Sequence, residues 1–271
     1  MAQKLLNKFI TFLDKNADLP FKYKKAVLDA CLFSSITYAS ETFIGGQLKP
    51  LDTLYTRAIK CLLGVRTTTC TEICLLELNY PSFTALLLKR RSDYLKRRIP
   101  LLQEDDPLKL AINISKGANT RVYKNLMAAL TLQRDPVIEN IHLQRETIRA
   151  KCVLSSKRSF YVTINPDGIV HPVYALTDYH IPEYIRFAFT RLRMVSHNLR
   201  IETGRWARVD KNRRTCTCDN ISVQDEHHAL FQCTLTHHLR VQYKFTDFNT
   251  LFNTNDYTKT CEFIYKVLHV F

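Results

Sequence analysis

Three thiols and an imidazole fall within eighteen residues of this sequence, as Cys216-x-Cys218-x9-His228-x4-Cys233. Thiolate sulfur and neutral imidazole nitrogen are the donors zinc takes in closed four-coordinate sites, where four protein ligands leave no position for a catalytic water. The spacing therefore predicts a structural zinc knuckle with Cys216, Cys218, His228 and Cys233 as its ligands. His227 competes with His228 for the third position, and His237 and His238 are reserves if the loop closes differently. One residue separates the first two cysteines where two are commoner, which tightens the turn between them. The segment is mostly polar and cannot order itself by burial alone, so the metal is expected to hold its fold.

Other chemistry-bearing groups offer less. Asp105-Asp106 could in principle hold paired metal ions, but only if a rigid strand or turn fixed both carboxylates. Here they end an acidic connection before Pro107 and read as a helix-start loop. Cys31, Cys61, Cys70 and Cys74 lie in apolar helical patterns and read as small buried hydrophobes, Cys70-x3-Cys74 included. Asp225 and Glu226 beside His227 are better explained as groups that orient the knuckle than as an acid–base pair.

The knuckle sits on a cationic chain. Against 25 acidic residues stand 39 lysines and arginines, a net charge of +14 over 271 residues, so the long-range field favours a polyanion such as RNA or DNA. With only six glycines, the chain has no phosphate-cradling glycine loop; Gly45-Gly46 reads as a helix exit. Nine cysteines, an odd number, and an opening segment without the apolar run of a secretory leader predict an intracellular protein, nuclear or cytoplasmic. No apolar run of about twenty residues exists to span a bilayer.

The elements that must position these groups read as mainly α. Pro20 opens a helix with Tyr23, Val27, Ala30, Cys31 and Ser34 on one face. Leu51, Leu54, Tyr55, Ala58, Ile59, Leu62 and Leu63 form one buried stripe, with Arg57 and Lys60 on the open side and Gly64 as the C-cap. A third helix runs from Ser82 to about Ile99 and carries Lys89, Arg90 and Arg97 as candidate phosphate contacts. Two more helices are expected over 107–156, with Leu126, Ala129, Leu130, Ile138, Ile141 and Ile148 in the core. Ser159–Ile164 and Val170–Tyr174, flanking Asn165-Pro166-Asp167-Gly168, predict a small β-hairpin. A helix from Pro182 to about Leu199 would align Arg186, Thr190, Arg193, His197 and Arg200 as a phosphate-facing stripe. Arg205, Arg208, Lys211, Arg213 and Arg214 complete the candidate nucleic-acid contacts, with Trp206 available to stack on an unpaired base.

Arg191-Leu192-Arg193-x-x-Ser196-His197-x-Leu199-x-Ile201-Glu202-x-Gly204-Arg205-Trp206, followed by Cys216, Cys218, Gln224-Asp225-Glu226-x-His228 and Cys233, resembles the C-terminal region of non-LTR (LINE-type) retrotransposon reverse transcriptases. Lys24-Lys25 through Glu41, Ile59-Lys60-x-Leu62-Leu63-Gly64-Val65-Arg66 and Glu77-Leu78 resemble the helical thumb of the same family, in the same order. The resemblance implies a thumb-like helical domain over 1–104, a mostly helical connecting domain over 105–200 with a hairpin near 159–175, and a basic segment, CCHC knuckle and tail over 201–271. It implies a non-catalytic, nucleic-acid-gripping portion of an RNA-directed DNA polymerase, since the family's Tyr/Phe-x-Asp-Asp palm turn and an Asp/Glu-x-Lys nuclease motif are not found in the sequence. The alternative is a domesticated remnant that docks a protein partner on the helical face a missing palm would uncover, around Leu51 to Leu63.

Overall fold

The computed structural model describes residues 2–38, 48–176 and 181–271. The chain enters as α1 (Ala2–Lys15) and α2 (Phe21–Val27), which continues through a π-turn (Leu28–Phe33) into α3 (Ser34–Ile36). Next come α4 (Lys49–Leu63), α5 (Thr71–Glu77) and α6 (Phe83–Arg98), then α7 (Pro107–Gly117), α8 (Arg121–Leu130), α9 (Pro136–Ala150) and α10 (Ser156–Ile164). The C-terminal part holds α11 (Glu183–Arg193), α12 (Arg200–Trp206), α13 (His237–Tyr243), α14 (Phe248–Phe252) and α15 (Tyr257–His269). Among the described residues, the only β pairing is an isolated antiparallel bridge between Thr215 and Val223. None of these helices is long and apolar enough to cross a membrane.

Leu54, Tyr55, Ala58, Ile59, Leu62 and Leu63 of the α4 stripe are buried as their periodicity requires, Leu51 is partly covered, and Gly64 caps the helix at φ +67°. A Cβ at Gly64 would also lie 2.1 Å from the Phe187 ring, so the turn needs glycine for both conformation and space. Ser82 caps α6 by accepting from Ala85 N, and Asp106 caps α7 by accepting from Leu108 N at 2.8 Å. The Asp105-Asp106 pair is thus the helix start that its proline predicts.

Several expectations need correction. The predicted hairpin is absent: Ser156–Ile164 is helical, and Pro172–Tyr174 is a single 3-10 turn. The β-branched and aromatic residues of that stretch are overruled by packing, because a helix puts Tyr161 and Ile164 into the core on one side. The Asn165–Gly168 turn survives, with the Asn165 side chain bonded to both N and O of Ile169. Pro20 is an N-cap, and the buried face of α2 and its π-turn is Phe21, Lys24, Leu28 and Leu32, not the Tyr23 face. Lys24 can be internal because its ammonium meets Glu183 at 2.5 Å. Lys60 is likewise buried, donating to Thr67 O. Residues 107–156 make three helices rather than two, and Ile138 lies outside the core. Of the four cysteines read as buried, Cys74 is buried, Cys61 and Cys70 are partly covered, and Cys31 is exposed. Gly45-Gly46 and Glu41 lie outside the described residues.

One apolar core runs from Leu6 on α1 to Val267 on α15, with a satellite of Leu95, Leu126 and Ala129 beneath α6 and α8. The three segments read from the sequence share that interior. Its centre is α11, whose predicted continuation to Leu199 stops at Arg193. Arg193 is buried, donating from Nε to Glu77 Oε1 at 2.6 Å and from its terminal nitrogen to Oε2 at 3.1 Å. Tyr161 donates to the same carboxylate at 2.8 Å, and Asn165 donates to Tyr161 Oη. Beside them His171 is buried, accepting from Val173 N at Nδ1 and facing Phe252 O through Nε2.

This centre makes two outcomes measurable. Arg193→Leu leaves Glu77 buried and unpaired and is expected to cost about 3–5 kcal/mol in urea unfolding, with Glu77→Leu/Arg193→Leu recovering much of it. Burial, reinforced by the Arg193 charge, lowers the His171 pKa to about 3. The folded imidazole therefore stays neutral while the unfolded one takes up a proton below its ordinary value, so stability falls as pH drops through that interval. Wild type should lose about 2 kcal/mol between pH 6.5 and 5 that His171→Gln does not lose.

Candidate metal centre and basic flank

The ligand atoms of Cys216, Cys218, His228 and Cys233 all lie within 4.8 Å of one another. Cys216 Sγ is 3.7 Å from Cys233 Sγ, and Cys218 Sγ is 3.3 Å from His228 Nε2. Tetrahedral zinc with Zn–S near 2.3 Å and Zn–N near 2.0 Å separates its donors by about 3.5–3.8 Å. The donor set and its spacing fit a structural zinc site. The ion supplies cross-linking there, since all four positions are taken by protein.

Local sequence builds each arm. Cys216 N donates to Ser222 O and Asn220 N to Cys216 O, closing the loop over the Thr215–Val223 bridge. The reversal falls after Cys218, where Asp219 accepts from Ile221 N and Ser222 N and Asn220 takes φ +57°. The single-residue cysteine spacing is accommodated because Thr217 and Cys218 lie inside the turn that Asn220 N closes on Cys216 O. Asp225 accepts from His228 N at 2.8 Å and starts the short π-turn His228–Gln232, which ends at Cys233. His228 is thereby turned inward, whereas His227 points away against Phe231 and Phe248. His237 and His238 are exposed on α13 and take no part.

Buried Gln224 joins the knuckle to α12. Its backbone accepts from Ile201 N and donates to Arg214 O, its side-chain oxygen accepts from Arg200 N, and its amide nitrogen approaches Cys216 Sγ at 3.6 Å. Glu226 meets His197 Nε2 at 2.9 Å while His197 Nδ1 accepts from Leu199 N, which makes Nε2 the protonated nitrogen. Burial pushes the Glu226 carboxyl up, but His197, a backbone hydrogen bond and the Arg205 charge together outweigh this and hold it below the usual range. Arg214 spans the other side, donating to Ile201 O and Val209 O. Its chain passes over Gly204, where a Cβ would lie 2.6 Å from Arg214 Cγ.

The predicted nucleic-acid contacts separate into three groups. Arg186, Arg193 and His197 are buried and engaged with Glu183, Glu77 and Glu226, so the phosphate-facing stripe is corrected to an interior one. A charged stripe on a helix covered on both sides must be internally paired, and α11 is such a helix. Lys89, Arg205 and Arg214 are partly covered and committed: Lys89 to Asp93 and Asp135, Arg205 to Glu202 and Ser156, Arg214 to backbone carbonyls. Arg90, Arg97, Arg200, Arg208, Lys211, Arg213 and Trp206 are exposed. Among the described residues, no carboxylate lies within ion-pair distance of Arg200, Arg208, Lys211 or Arg213.

Two residues that the sequence pattern did not single out belong to the same surface. Arg66 lies over the Trp206 ring at 3.8 Å from its centroid, and Arg191 donates to Gly64 O at 2.8 Å. Both stand inside the sequence blocks that carry the family resemblance, which was the available signal. The stripe around Leu51 to Leu63, expected as an uncovered docking face, is instead largely buried within the core. No family model, curated protein or solved structure matches the chain.

Elemental analysis of the purified protein is expected to give one zinc per chain. Cys218→Ser and His228→Ala should lose it, whereas His227→Ala should keep it.

Proposed function

We propose that this chain is a non-catalytic, nucleic-acid-binding C-terminal portion of a non-LTR retrotransposon reverse transcriptase, working inside the cell, in the nucleus or cytoplasm. The observation that carries the reading is the exposed set Arg200, Arg208, Lys211 and Arg213, which has no carboxylate at ion-pair distance among the described residues and precedes the zinc knuckle in the chain. Uncompensated guanidinium and ammonium groups gain affinity for a phosphate backbone by releasing its counterions. Carrying Lys211 and Arg213 on the segment that enters the metal-binding loop lowers the ordering cost of binding. The family resemblance adds the order of the motifs; its residues Gly204, Gln224 and Glu226 help seat the loop against α12 and the turn before it, and Glu202 ties α12 to Lys157 of α10. The reading assigns this chain grip on template RNA or target DNA rather than nucleotide chemistry.

Binding to a short duplex, monitored by fluorescence anisotropy between 50 and 200 mM salt, should weaken steeply. Replacing Lys211 and Arg213 by Gln should reduce the slope of log K against log salt by about 1–2 and weaken binding alike across sequences. A flat salt response in the zinc-loaded protein would exclude the proposal.

A further inference from the structure

A cleft of about 700 Å³ opens between α11, the end of α15 and the turns after α4 and α11. Arg66, Tyr184, Phe187, Arg191, Asn198 and Tyr265 are among its lining residues, and among the described residues no Asp or Glu lines it. Both arginines are fixed by neutral acceptors. Arg191 Nε donates to Gly64 O, and Arg66 donates to His197 O and to the Asn198 side chain. Their positive charge is therefore oriented without being neutralised. Burial, and then the Arg191 charge, lower the Arg66 pKa, as expected of two cations facing one space. Glu202, whose charge acts on Arg66, is already engaged by Lys157 and Arg205.

The rest of the wall is aromatic. Tyr184 is 58% exposed and stands edge-on to Tyr265 at 5.1 Å, while Phe187 lies partly open over Gly64. Ring faces beside unneutralised guanidiniums suit a ligand with a flat π-face and a phosphate on one short backbone. A paired base cannot offer its face to such a wall, because its neighbours in the stack cover it.

We propose that this cleft is a single-strand subsite, taking unpaired nucleotides with phosphate on Arg66 and Arg191 and a base against Tyr184 and Phe187. This deepens the nucleic-acid reading above and rests on it. The exposed cluster near the knuckle grips backbone of any form; the cleft adds a preference for unpaired strand.

The test uses the full zinc-loaded chain with fluorescein-labelled oligo-U, oligo-dT and a hairpin duplex. Tyr184→Ala and Arg191→Gln alter exposed positions on α11, and zinc content with melting temperature checks their folding. Each should lower single-strand affinity at least about fivefold and leave duplex affinity within about twofold. Preference between oligo-U and oligo-dT identifies RNA or DNA as the occupant. The sole tryptophan, Trp206, stacked on Arg66, should change its emission when single strand binds wild type. If both variants bind single strand like wild type, or the strand binds without altering Trp206 emission, the cleft proposal falls while the broader function stands. If no nucleic acid binds at all, the broader function falls and the cleft with it.

Discussion

The Glu77–Arg193 pair lies where α5, α10 and α11 converge, and the arrangement of the surrounding helices depends on its being complete. Glu77 ends α5, where the helix dipole disfavours a carboxylate, and it is wholly buried. It tolerates that position because Arg193 approaches it with two nitrogens and Tyr161 supplies a third donor. Removing two charges from water roughly offsets their attraction, so the net gain of such a pair is small beside the penalty of breaking it. Its consequence is positional. Arg193 is the last residue of α11, and with its guanidinium pinned, the chain must leave the helix at that height.

The path of the chain beyond Arg193 depends on that exit. Val195 takes φ +51°, uncommon for a β-branched residue, and turns the chain so that Ser196 accepts from Arg66 N and contacts Thr69 Oγ1. His197 then reaches Glu226, and Leu199 starts α12, to which Gln224 attaches the knuckle. A succession of hydrogen-bonded residues thus leads along the chain from the end of α11 to Gln224 and Cys216. Cys216, Cys218, His228 and Cys233 would hold zinc at the far end of that line, where it would cross-link the two arms, while Gln224, His197 and Arg214 hold the loop to the body.

Where sequence alone was informative, the interaction was local. The α4 stripe, its Gly64 cap and the Ser82 and Asp106 caps depend on residues a few positions apart, and the four knuckle ligands fall within eighteen; the structure has them as spaced. Where sequence misled, the deciding partner was distant. Arg193 resembles a solvent-facing arginine until Glu77, 116 residues away, is brought beside it. Lys24 resembles a surface lysine until Glu183 arrives from 159 residues downstream. The 159–164 stretch has strand propensity, but its helix is chosen by Tyr161 reaching Glu77 and by Phe160 packing on Phe248. The π-turn in Leu28–Phe33 shifts the buried face in a way no regular 3.6-residue period anticipates. The cleft was equally hidden, since Arg66 and Arg191 become neighbours only through the turns at Gly64 and Val195.

The distribution of cations argues against treating the net charge of +14 as one undivided binding surface. Arg186, Arg193 and Lys24 are interior, and Lys157 and Arg205 bracket the buried Glu202, so part of the excess is consumed in holding the fold. Arg214 directs its guanidinium to carbonyls, which preserves its charge but fixes it beside α12. Arg200, Arg208, Lys211 and Arg213, with no carboxylate at ion-pair distance among the described residues, lie on α12 or between it and the knuckle, and Arg66 extends that face to the aromatic cleft through its stack on Trp206. Because the same backbone hydrogen bonds that seat the zinc loop also orient Arg200 and Arg214, metal and positive surface are one mechanical unit. Loss of zinc would free the loop carrying Lys211 and Arg213 while leaving the α11 arginines in place.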